Sequence, residues 1–178
     1  HFMPSSLLTS QFETLEPLSY DYLVFALGAE VNFFGVEGAA EHSFPLYTLA
    51  DALRLKDHVL ERWEAVDLRP ELAQDGALNM VVVGGGPTGV ETAGAMAELY
   101  NGVFRKDYPD IPPEQARIVL VEASPEIFAM FKEEIRTYTA EALEQRGVHV
   151  LTGEVVQSIE PERVTLKSGT VLPAHTLV

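Results

Sequence analysis

The chain has 178 residues, 47% of them hydrophobic and 22% charged, enough for one globular domain with an ordinary core. Its 27 acids against 12 bases give a net charge of −15, which repels nucleic-acid phosphate and argues against nucleic acid as a partner. With no cysteine there is no disulfide, thiolate metal site or CxxC redox pair, and no window is long and apolar enough to span a membrane.

In chain order, no signal peptide opens the sequence, and His1, Phe2 and Met3 read as a cloning remnant rather than a targeting segment. Tyr20–Ala26 (YDYLVFA) is a strand candidate, rich in aromatic and β-branched residues. A glycine-punctuated loop follows from Gly28 through Gly38. Thr48 then caps a long helix in which Leu49, Ala52, Leu53, Val59, Trp63 and Val66 recur at helical spacing. Asp51, three residues after Thr48, completes a variant of the capping box, and Pro70 and Gly76 close the stretch.

From Leu78 the pattern alternates between strand and helix. Leu78–Val83 is a short apolar run suited to a strand buried on both faces. Gly84–Gly89 is a turn, Val90–Tyr100 a helix dense in small residues, and Asn101–Gln115 a polar, proline-rich excursion. Ile118–Val121 is a second strand. Lys132–Arg146 is a helix stopped by Gly147, and Val148–Leu151 is a third strand. Val155–Ile159, Arg163–Leu166 and Thr170–Leu172 then read as a meander with turns at Pro161 and Ser168-Gly169. His175–Val178 begins another apolar run, and a chain ending inside it reads as a piece of a longer protein. The expected class is α/β: a Rossmann-like three-layer domain with a parallel sheet plus a small antiparallel β-meander.

The chemistry lies in Gly84, Gly86 and Gly89, a G-x-G-x-x-G that leaves a strand and opens a helix. Gly84 permits the tight turn. Gly86, without a Cβ, lets a pyrophosphate approach the backbone, and Gly89 lets helix and strand pack closely. The helix N-terminus offers free N–H groups to the same phosphates. A glycine-rich turn that binds nothing is the competing reading, and it fits poorly with the strand, helix and second strand around it. The binding set is Gly84, Gly85, Gly86, Pro87, Thr88, Gly89, Glu122 and Ala123.

Glu122 ends the second strand, where a carboxylate accepts hydrogen bonds from the adenosine ribose and favours NADH over NADPH. Otherwise it is an ordinary surface acid. The interval from the glycines exceeds the usual ~20 residues, and Asn101–Gln115 accounts for the excess if it is an insertion. No Arg or Lys occurs in Ala123–Glu126 to meet a 2′-phosphate. Glu91 is either an acid complementing the helix dipole or a group near the reacting nicotinamide, and residue physics does not separate the two. No metal site is expected: His42, His58, His149 and His175 lack ligand spacing.

GGGPTGVETAG, with VEASPEIFAMF and YDYLVFALGA, resembles the type II NADH dehydrogenases of the pyridine nucleotide-disulfide oxidoreductase superfamily, over about Tyr20 to Val178. The resemblance implies an enzyme with two Rossmann-type domains that passes hydride from NADH to FAD and then to a quinone. It implies a catalytic place for Glu91 near nicotinamide and flavin, and an adenine border at Thr152–Val156. It divides the chain into 1–28, a cloning remnant and residual piece of the FAD domain; 29–77, a connecting loop and helix; and 78–178, a C-terminally truncated NADH-binding domain. There are departures: Leu27 stands where the family has Thr, and a second glycine fingerprint is absent.

The fragment is therefore expected to bind NADH but not FAD, and to be inactive alone. Tyr20–Ala26, deprived of its missing FAD-domain neighbours, is expected to be disordered, refolded, or paired with another copy. The implied location is cytoplasmic, with the intact protein peripheral on the cytoplasmic face of the membrane. Alternatives are the NADH domain of a ferredoxin- or rubredoxin-type reductase, a non-catalytic NAD-binding redox sensor, and a nucleotide-independent Rossmann scaffold such as a methyltransferase.

Overall fold

A computed structural model describes residues 19–178. The described residues 19–30 and 31–178 belong to two separate units. In the first, the described residues 19–30 contain no strand, so the strand expected at Tyr20–Ala26 is not formed. A strand is held by a neighbour's N–H and C=O groups, and no strand pairing among the described residues includes this stretch. Tyr22 and Phe25 are 92% and 77% exposed.

The second unit is α/β and Rossmann-like. Four parallel strands, β1 (Met80–Val83), β2 (Ile118–Glu122), β3 (Val148–Thr152) and β7 (Thr176–Leu177), run in the order β3-β2-β1-β7. A three-stranded antiparallel sheet, β4 (Val156–Glu160), β5 (Arg163–Leu166) and β6 (Val171–Pro173), forms the meander.

Alternation along the strands builds three layers. Met80, Val82, Ile118 and Leu120 face a core made with helices α2 (Leu49–Leu68), α3 (Pro87–Leu99) and α5 (Glu133–Gln145). Val81, Val121 and Leu177 face the opposite way, onto Val156, Ile159, Val164 and Leu166 of the meander and Ala39 of the short helix α1 (Ala39–His42). The period of two in side-chain direction lets one apolar strand serve both layers.

Helix α2 begins at the expected capping box: Thr48 accepts from the Asp51 N–H, and Asp51 accepts from the Thr48 N–H at 2.8 Å. Its buried stripe differs from the expected one. Leu55, Val59, Trp63 and Val66 are inside, while Leu49 and Leu53 are exposed. Leu55, Val59, Trp63 and Val66 follow Asp51 at intervals of three and four, and Leu49 and Leu53 fall on another face. The stretch 29–77 and the segment 78–178 share this core.

The excursion after α3 is also more regular than expected. The helix continues through a wider π-type turn (Tyr100–Phe104) into α4 (Arg105–Asp107). Aromatic packing drives it: Tyr100, Phe104 and Tyr108 lie 5.1, 4.6 and 5.6 Å from the Trp63 ring, centroid to centroid. The long interval to Glu122 is thus a helical extension and a short loop closed by buried Ile111. Gly147, at φ 87°, ends α5 in the left-handed conformation expected of it.

Candidate functional site

The glycine turn leaves β1 at its carboxyl end. Gly84 has φ 110° and donates its N–H to the Val121 carbonyl at 2.8 Å. A Cβ on Gly89 would lie 1.9 Å from the Gly84 carbonyl oxygen, so close packing inside the turn demands glycine there. A Cβ on Gly85 would meet Ile127 Cγ2 at 2.7 Å and Glu122 Cβ at 3.0 Å. Gly86 differs from both. A Cβ there would meet no protein atom within 4 Å, and φ is an unremarkable −77°. No internal contact of the described residues accounts for glycine at Gly86.

Gly86 is the N-cap of α3, and no side chain caps this end. Pro87 stands first in the helix, where its fixed φ is favourable and its missing N–H costs nothing. The helix therefore starts three residues before the expected Val90. The Thr88 and Gly89 N–H groups lie in this uncapped first turn, directed outward with the positive end of the helix dipole.

The Glu122 carboxylate is fixed at both oxygens. Oε2 accepts the Gly85 N–H at 2.5 Å and Oε1 the Ser124 N–H at 2.6 Å. Partial burial raises its pKa, but donation from the Ser124 and Gly85 backbones outweighs this and holds the carboxyl below its ordinary value. Each oxygen keeps acceptor capacity beyond its one N–H. Gly85 is clamped a second time, because its carbonyl accepts the Phe128 N–H at 2.8 Å. The loop after β2 thus grips the glycine turn on both sides of one residue, a tie that no spacing in the sequence displays.

Gly84, Thr88, Gly89, Glu122 and Ala123 line one cleft of about 620 Å³ at the carboxyl ends of β1, β2 and β7. Its other wall is mainly apolar and includes Phe33, Phe44, Val155 and Val178. Strand β1 pairs with β2 on one side and β7 on the other, so the cleft sits where strand order reverses. Open α/β sheets bind ligands at that position. Glu154, Val155 and Val156, within the expected adenine border of Thr152–Val156, line this cleft.

Glu91 is not brought into that cleft. It lines a neighbouring groove between α2 and α3, which Thr88 and Thr92 also border. Because the helix begins at Pro87, Glu91 is its fifth residue and the first turn holds no acid. The dipole explanation of Glu91 is weakened accordingly, since that effect is concentrated in the first turn.

No spacing in the sequence points to Arg136. This α5 guanidinium reaches the loop after β2 and pairs with Glu126 at 3.0 Å. The Ala123–Glu126 loop lacks a base of its own but has one supplied from the next helix. Among the described residues no group of His, Asp or Glu could hold a metal ion, and no helix is long and apolar enough to cross a membrane.

A family model described as pyridine nucleotide-disulphide oxidoreductase matches residues 6–178. Internal alternative NAD(P)H-ubiquinone oxidoreductase A1, mitochondrial, of Solanum tuberosum is 32% identical over 185 residues, covering 100% of this chain and 37% of the relative. External alternative NAD(P)H-ubiquinone oxidoreductase B1, mitochondrial, of Arabidopsis thaliana is 35% identical, covering 84% of this chain and 26% of the relative. NDH2 from Plasmodium falciparum, solved in complex with NADH, superposes with a TM-score of 0.82 at 28% identity, covering 90% of this chain and 34% of that one. The chain thus spans about a quarter to just over a third of the length of these proteins.

Proposed function

Because the chain belongs to the pyridine nucleotide-disulphide oxidoreductase family, we propose that residues 78–178 are the NADH-binding domain of a type II NADH dehydrogenase. The observation that carries the reading is the bare surface at Gly86, the N-cap of an uncapped helix whose Thr88 and Gly89 line the cleft at the carboxyl edge of the sheet. A diphosphate fits both features: it uses the space a side chain would occupy and accepts hydrogen bonds from the first-turn N–H groups. Gly84, Gly85, Gly86, Pro87, Thr88 and Gly89 form the cradle, and Glu122 and Ala123 the ribose side.

When bound, NADH supplies two electrons as hydride from its nicotinamide. The residues of this chain bind and orient it. Glu122, ionised and held by Gly85 and Ser124, accepts the ribose hydroxyls. The apolar wall around Phe33, Phe44 and Val178 keeps water from the ring. Glu91 stands one groove away, and we assign it a place beside the reacting ring in the intact enzyme. FAD, the missing domain that holds it, and quinone as acceptor belong to that larger protein, of which 1–28 is the residual FAD-domain piece and 29–77 the connection. The intact enzyme is peripheral on the cytoplasmic face of a membrane. In the isolated chain, the exposed Tyr20–Ala26 stretch drives self-association.

Titration of the chain with NADH, NADPH, FAD and adenosylmethionine tests the assignment. Expected are weak saturable NADH binding, little NADPH binding, and none for the other two. Tight FAD binding or preferential adenosylmethionine binding overturns it. For self-association, sedimentation is expected to show concentration-dependent assembly that is reduced in a Leu23→Ser/Phe25→Ser variant. A monomer at all concentrations overturns that part.

A further inference from the structure

The opposite end of the parallel sheet carries a second cleft, of about 580 Å³, with a different chemistry. It lies at the amino ends of β2 and β3, under the helical extension after α3. Arg105, Arg117 and Arg146 line it, together with His149 and Asn101, and Glu114 is its single acid. In a chain with 27 acids and 12 bases, four charged residues drawn at random would be mostly acidic. Here three of the four are arginines. Among the described residues neither Arg105 nor Arg117 forms an ion pair, and Arg146 has only a long contact to Glu98 at 3.8 Å plus a hydrogen bond to the Ala142 carbonyl.

Like charges gathered on one concave surface repel, and the cleft's single acid, Glu114, cannot balance three guanidinium groups. The inner wall is apolar and aromatic, formed by Trp63, Tyr100, Ile111 and Ile118, all buried. The volume falls in the range of about 300–1,000 Å³ common for small-molecule sites. Guanidinium forks match tetrahedral oxyanions with two parallel hydrogen bonds. The aromatic wall suits an apolar body on the same molecule.

We propose that this cleft binds a small phosphate monoester with an aromatic or apolar body, at a site separate from the dinucleotide cleft. Arg105 and Arg117 take the phosphate, Arg146 and His149 flank it, and the body faces Trp63. The proposal does not depend on what the glycine turn binds.

Trp63 is the single tryptophan of the chain and forms part of the cleft, so its fluorescence reports occupancy directly. The 178-residue chain is titrated with phenyl phosphate, with phenol and inorganic phosphate as partial probes, at constant ionic strength. Expected is a saturable change with phenyl phosphate, at least tenfold weaker with either partial probe. Saturating NAD+ leaves it in place. In an Arg105→Ala/Arg117→Ala variant, checked for folding by circular dichroism, affinity falls at least tenfold while the NADH titration is unchanged. No saturable response, equal response in the variant, or displacement by NAD+ overturns the proposal.

Discussion

Tyr20–Ala26 and Leu78–Val83 are runs of similar apolar character, and they meet opposite fates. The second yields β1, paired through Met80–Val83 with β2 and through Met80 and Val81 with β7, with Met80, Val81 and Val82 nearly free of solvent. The first forms no strand and leaves Tyr22, Val24 and Phe25 exposed. Composition is thus a statement about what a segment tolerates. Whether it becomes a strand depends on hydrogen-bonding edges and an apolar face supplied from elsewhere.

Substitutions sharpen that contrast, and the largest effect lies next to β1. Gly89→Val places carbon atoms inside the Gly84 carbonyl and is expected to abolish the cooperative thermal transition. Gly86→Ala, with open space around it, is expected to lose about 1 kcal/mol of stability or less, yet to weaken NADH binding at least tenfold. If both glycine variants fold equally well, the packing account of the turn is wrong. If Gly86→Ala binds NADH normally, the cradle is misplaced.

Next come the apolar positions themselves. Leu120→Ala in β2, fully buried, is expected to cost about 2–5 kcal/mol in denaturant unfolding. Leu23→Ala or Val24→Ala is expected to stay within about 0.5 kcal/mol of the parent. A large loss at Val24 would mean that the first stretch has neighbours after all.

A smaller change is expected from Glu122→Arg, which removes the ribose acceptor and adds a cation. It should shift preference from NADH toward NADPH by about tenfold, or about 1.4 kcal/mol. An unchanged preference removes the ribose role and leaves Glu122 as the clamp of Gly85.

The smallest lies at the start of α2. Thr48→Ala is expected to cost about 1 kcal/mol. Hydrogen bonds from Thr48, then Arg54, lower the Asp51 pKa from 3.8 to about 2. A folded-state pKa below the unfolded one gives stability that is present above the unfolded value and lost as pH falls through the folded one. The Asp51 contribution is therefore expected to disappear between about pH 4 and pH 2, and this part of the acid limb to flatten in Thr48→Ala. Identical acid limbs in the two proteins would remove the cap from the account.

Much of this was legible because it is local. The capping box at Thr48 and Asp51 spans four residues, the turn after Gly147 needs only a positive φ, and G-x-G-x-x-G between a strand and a helix is defined by spacing. The dipole alternative for Glu91 weakens for a local reason as well: Pro87 starts α3 earlier than the apolar pattern does, which moves Glu91 out of the first turn. The α2 stripe departs from the expected one at Leu49 and Leu53, which are as apolar as Leu55. Only the position of β1 and the aromatic group around Trp63 decides which of them is covered.

By itself the amino-acid order determined the alternation of strand and helix, the uncapped turn at Gly84–Gly89 and the acid at the end of β2, because each rests on neighbours within a few residues. Tertiary structure alone decided which apolar run became a strand, that Glu122 grips Gly85, that Glu91 faces a different groove from Glu122, and that Arg105, Arg117 and Arg146 share one cleft. These are meetings of residues dozens of positions apart. Their distances follow from how the sheet and helices pack, and no periodicity along the chain encodes them.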